Sequence, residues 1–181
     1  MKVKMPALDF NTPSLSQRLF CTAAGFDMAS ANDWISRGII EVDETEGWRV
    51  KGGRRFSLGT AWRTRILKEM VEDYKMPLAR AAEVAELAER LAVKGGHLQH
   101  WMTWLEAGKS FIPAFLVVAW SGDCYDGKII TGDKYGWPNF SSAEEVPERF
   151  FNRPFLVVPL SNLFESVWRK CSAMLTPDEK T

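Results

Sequence analysis

The sequence carries no net charge: its 181 residues hold 23 basic and 23 acidic side chains. Whole-chain electrostatics therefore favours neither a nucleic acid nor an acidic substrate, and any such preference has to be local. Histidine is scarce. His97 and His100 are the only two, and no third ligand stands at a useful spacing from them, which argues against a metal centre. Cys21, Cys124 and Cys171 are odd in number, far apart and outside any Cys-x-x-Cys pattern, so reduced thiols in a cytoplasmic protein are expected. The first residues lack the continuous apolar stretch of a secretion signal. The longest apolar run, FIPAFLVVAW, spans ten residues including its proline, half of the roughly 20 that a bilayer crossing requires. There is no nucleophile elbow and no glycine-rich phosphate loop. Asp123, Cys124 and Asp126 fall in SGDCYDG, which reads as a polar hairpin turn. The expectation is a protein that is not an enzyme and needs neither metal nor cofactor.

What the sequence has is a segregated basic block. Arg49, Lys51, Arg54, Arg55, Arg63, Arg65 and Lys68 follow one another without an acid, between Asp43, Glu44 and Glu46 on one side and Glu69, Glu72 and Asp73 on the other. On a neutral chain, such a block marks one face for an anion.

The apolar fraction of 46% supplies a core for one domain or two small ones. A first helix opens at Thr12–Ser14, with Ser14 and Gln17 as a reciprocal capping pair and Gly25 as its stop. Asp27 is placed to cap a second helix, MASANDWISR, that Gly38 ends. Ile39 to Val42 and Arg54 to Leu58 have strand character, and Gly47, Gly52 and Gly53 between them permit tight turning, so the stretch reads as a β wing. A third helix is expected from about Thr60 to Tyr74. Pro77 suits the first position of a fourth. After the break at Gly95 and Gly96 a short helix precedes Gly108, and the texture then turns to strands at 111–120, 128–131 and 155–160. A last amphipathic helix follows, with Asn162 and Glu165 suited to its start.

Helix, turn, helix, wing and two more helices is the order of the MerR family of winged-helix transcription regulators, which the chain resembles over about Leu15 to Leu91. The matching stretches are Phe26 and Asp27 to Trp34, SRGII (36–40), GRRFSL (53–58), RTRILKEM (63–70) and KMPLARAAEVAE (75–86). The chain departs from the family at Asn32, Asp33 and Trp34, where an arginine and aromatic pair often stands. It also lacks the long dimerisation helix.

The expected architecture is α+β: a winged helix-turn-helix domain over 1–94 and a small α/β domain over 95–181 for dimerisation or sensing. The expected function is sequence-specific binding of double-stranded DNA by a homodimeric regulator of transcription. Ser30, Asn32, Asp33 and Arg37 are the base-reading candidates, because short polar side chains near the start of a helix suit the major groove. Arg49, Lys51, Arg54, Arg55, Arg63 and Arg65 are the phosphate-binding candidates. The aromatic residues Trp101, Trp104, Phe111, Phe115 and Trp120 read as core, or as the wall of a pocket for a small-molecule or protein effector. Two alternatives use the winged helix as a scaffold: a protein-binding adaptor and an excisionase-like architectural protein of phage type.

Overall fold

The computed structural model describes residues 8–43, 53–109, 111–121, 124–133, 135, 137–138 and 155–175. Among these the chain forms six helices and two small antiparallel sheets, a mixed α+β fold. It packs as two compact units, Met1–Glu69 with Ser166–Thr181, and Met70–Glu165. The segments 1–94 and 95–181 divide the chain by texture, whereas these units divide it by packing.

The first unit begins with β1 (Leu15–Ser16), α1 (Gln17–Ala24) and α2 (Met28–Ser36), and continues with β2 (Arg55–Phe56) and most of α3 (Leu58–Glu72). The start of α1 differs from expectation. Leu15 pairs with Phe56 and Ser16 with Arg55, so the two residues after Ser14 are held extended and Ser16 becomes the cap. Its hydroxyl accepts from the Leu19 N–H at 3.3 Å. Gly25 ends α1 in the left-handed conformation, at φ 77°, where a side chain would be strained. Asp27 caps α2 as expected, accepting from the Ser30 N–H at 2.8 Å. Ile39 to Val42 do not pair as a strand. The Ile39 and Ile40 N–H groups both donate to the Trp34 carbonyl, at 2.9 and 3.3 Å, and this closure of α2 takes the donors a ladder would have used. Ser57 opens α3 by accepting from the Thr60 N–H at 3.1 Å. The core beneath these elements holds Leu15, Phe20, Phe56, Leu58, Trp62 and Ile66, all fully buried, with Phe20 stacked on Phe56 at 4.1 Å between ring centres.

The second unit contains α4 (Leu78–Lys94) and α5 (His97–Glu106), followed by β3 (Ala114–Ser121), β4 (Cys124–Thr131), β5 (Phe155–Val158) and the first part of α6 (Leu160–Leu175). Pro77 stands one place ahead of α4, at its N-cap. The sheet order is β4-β3-β5, antiparallel throughout. The residues of SGDCYDG are mostly strand: Tyr125, Asp126 and Gly127 lie opposite Trp120, Ala119 and Val118. Cross-strand packing, including the Trp120 and Tyr125 rings 5.9 Å apart, outweighs the turn preference of that stretch. Gly127 lets α4 approach the sheet, because a Cβ there would stand 2.8 Å from Leu87 Cδ2. The stretch 155–160, expected to form a strand, does so over Phe155–Val158, the outer strand of the sheet among the described residues, and its burial rises only toward Val158. The start of α6 also differs from expectation. It begins at Leu160, ahead of Asn162, while the buried Ser161 hydroxyl accepts from the Ala114 N–H at 2.8 Å. Among the described residues no helix is long and apolar enough to cross a membrane.

Candidate nucleic-acid interface

At about 3.6 residues per turn, the exposed residues of α2 and its C-cap fall on one half of the helix: Met28, Ala29, Asn32, Asp33, Ser36 and Arg37. Ala31 is fully buried, and Trp34 and Ile35 are half-buried on the opposite side. Phe26 meets the edge of Trp34, with ring centres 4.7 Å apart. A nine-residue helix buried along one side leaves its polar half open to a partner.

Three of the four base-reading candidates, Asn32, Asp33 and Arg37, lie on that half. Ser30 sits at its border, and its hydroxyl donates to Asp27 Oδ2 at 2.6 Å. That bond, followed by the Ser30 N–H, holds the Asp27 carboxyl below its ordinary pKa of 3.8. Arg37 pairs with Asp33 at 3.2 Å, both side chains more than half exposed. An exposed pair of this spacing contributes about 0.5 kcal/mol or less, so a phosphate can displace the carboxylate at little cost.

Arg54 is brought to α2 from 22 positions away, its Nη1 donating to Asn32 Oδ1 at 2.6 Å. Gln17, at the first turn of α1, donates to the same oxygen at 2.9 Å. By sequence Gln17 reads as half of a capping pair with Ser14; its contact with α2 depends on how the two helices cross and has no local signal. Arg55 is exposed on β2. Arg63 pairs with Glu41 at 3.3 Å. Arg65 turns inward: it pairs with Glu69 at 2.8 Å, and its Nη1 lies 3.0 Å from where a Cβ on Gly25 would stand. Its Nε is buried with no hydrogen-bond partner among the described residues. Arg49 and Lys51 lie outside the described residues, as does the centre of the expected wing.

Lys68 and Lys170 add to this basic group. Lys68 donates to the Gly25 carbonyl and lies 5.3 Å from the centre of the Phe26 ring. Burial first, then the charges of Arg65 and Lys68, hold the Lys170 ammonium below the ordinary lysine pKa of 10.5. Lys170 is about a hundred positions from its neighbours in the sequence, which hid it from any reading of charge runs.

His97 lies 5.9 Å from the Trp101 ring and His100 4.9 Å from Trp104, centre to centre. Burial, then the neighbouring His100, lowers the pKa of His97 from 6.5. No group of three or more His, Cys, Asp or Glu is placed to hold a metal ion among the described residues. Trp101 is buried against Phe111 and Phe164, and Phe115 belongs to a cluster with Val117, Ala119 and Ile130. Tyr135 and Trp137, by contrast, are 73% and 71% exposed, and Asp133 Oδ1 accepts from both of their N–H groups at 2.8 and 2.9 Å.

Neither a protein-family model nor a curated protein matches the chain.

Proposed function

We propose that the chain binds double-stranded DNA sequence-specifically and regulates transcription, with α1 and α2 as a helix-turn-helix and the segment between α2 and α3 as a basic wing. The observation that carries this reading is the exposed half of α2, where Asn32, Asp33 and Arg37 stand together and Arg54 reaches Asn32 from the far side of the wing segment. The resemblance to MerR-type regulators over Leu15 to Leu91 points the same way. In this reading α2 enters the major groove. Asn32, Asp33 and Arg37 face base edges there, with Arg54 beside Asn32, while Arg55 and Arg63 engage flanking phosphates. A homodimer would combine two half-sites into useful affinity.

The test is selection of random duplex DNA by the purified full chain at two salt concentrations, read by sequencing. Recovery of an inverted repeat supports a dimeric regulator; no enrichment at either salt rejects the reading.

A second reading, a protein-binding adaptor, draws on Tyr135 and Trp137. Large aromatic side chains so exposed, on a turn held by Asp133, are what partner surfaces present. Loss of partner capture on Tyr135→Ala with Trp137→Ala, with duplex binding absent in the parent protein, would favour it.

A further inference from the structure

Asparagine offers two kinds of contact: a carbonyl oxygen that accepts twice and an amide nitrogen that donates twice. In Asn32 both acceptor positions are already filled, by Gln17 Nε2 at 2.9 Å and Arg54 Nη1 at 2.6 Å. A guanidinium nitrogen can only donate, so the atom facing Arg54 has to be the oxygen, and chemistry fixes the orientation of the amide. What Asn32 keeps for a partner on the exposed half of α2 is its Nδ2 group. Beside it stand the remaining N–H groups of Arg54. The array is therefore rich in donors and has no acceptor left on Asn32.

Base edges respond differently to such an array. The usual asparagine contact with adenine has the oxygen accept from N6 while the nitrogen donates to N7; with the oxygen engaged twice, that contact is closed. Adenine would also direct its N6 donor at donors. Cytosine presents a donor as well, and thymine a single acceptor beside a methyl group. Guanine alone presents two neighbouring acceptors, O6 and N7.

We propose that Asn32 and Arg54, held in place by Gln17, act as a donor-only reader that selects guanine over adenine at one position of the DNA site. Gln17 is the positioning residue, Asn32 and Arg54 the contacting ones. The inference rests on the DNA-binding reading above and goes beyond it by fixing the base.

The experiment is random-duplex selection run in parallel on the full chain and on its Asn32→Asp and Gln17→Ala variants, all three first matched for thermal melting. The parent motif is expected to hold a guanine preferred over adenine by about tenfold, the range of a good base contact. Asn32→Asp, which replaces donors with acceptors, should lose preference at that position alone or move it to cytosine. Gln17→Ala frees one lone pair and should narrow the guanine-to-adenine ratio several-fold. Adenine at the position sensitive to Asn32, an Asn32→Asp motif identical to the parent's, or an unchanged ratio in Gln17→Ala overturns the inference while DNA binding stands. Recovery of no motif by the parent overturns both.

Discussion

Single polar atoms decide the character of the proposed interface. Asp27 uses one oxygen on the Ser30 N–H and the other on the Ser30 hydroxyl, so one carboxylate both starts α2 and commits the Ser30 proton, leaving that hydroxyl only its acceptor lone pairs for a partner. Those two bonds lower the Asp27 pKa from 3.8. The sign of the linkage follows: the folded state binds this proton less readily than the unfolded chain, so the stabilisation is fully present above the ordinary carboxylate range. It is lost as pH falls through the lowered value. Asp27→Ala should lower the melting temperature by a few degrees at neutral pH, with a smaller gap between variant and parent toward pH 2, measured by circular dichroism. An undiminished gap in acid would show that the carboxylate charge is not what caps the helix. Asp33 illustrates the opposite arrangement. Its pairing with Arg37 is exposed, so both groups stay accessible to a partner.

At the scale of elements, the packing of α4 on the three-stranded sheet turns on Gly127. A methyl group there would meet Leu87 Cδ2 at 2.8 Å and Leu116 Cδ1 at 3.3 Å, and both leucines are buried. Gly127→Ala should therefore destabilise the protein by about 1–3 kcal/mol, the cost of overpacking a filled core. Urea unfolding measures it, and a variant as stable as the parent would show that the Leu87 and Leu116 side chains turn aside without cost. The same elements show what was legible in the chain. Asp27, Gly25 and Gly108 act through bonds or backbone angles within a few residues, and each marked its helix end correctly. Ser14 did not, because Leu15 and Ser16 are claimed by Phe56 and Arg55 forty residues on. Residues 124–127 carry turn chemistry but are drawn into the ladder by β3, and Asn162 lost its capping place when Ser161 was taken up by Ala114. For the candidate interface, the polar face of α2 could be read from spacing alone. The roles of Gln17 and Lys170 could not, since each depends on a contact between separate elements.

For the whole molecule, neutrality and local charge are reconciled by segregation. A chain with 23 charges of each sign still gathers Arg54, Arg55, Arg63, Arg65, Lys68 and Lys170 into the same compact unit as α2. That unit is assembled from both ends of the sequence, because residues 166–175 of α6 join it and bring in the buried Val167, Trp168 and Cys171. In the proposed function this unit grips duplex DNA through its wing arginines and α2. The most direct test is fluorescence anisotropy of a labelled duplex titrated with the full chain across a salt series, beside the Arg54→Glu, Arg55→Glu double variant. The parent should show log affinity falling with log salt at a slope of about −5 per protomer, and the double variant should lose measurable binding while melting like the parent. Equal affinities for the two proteins, or an affinity indifferent to salt, would contradict the account.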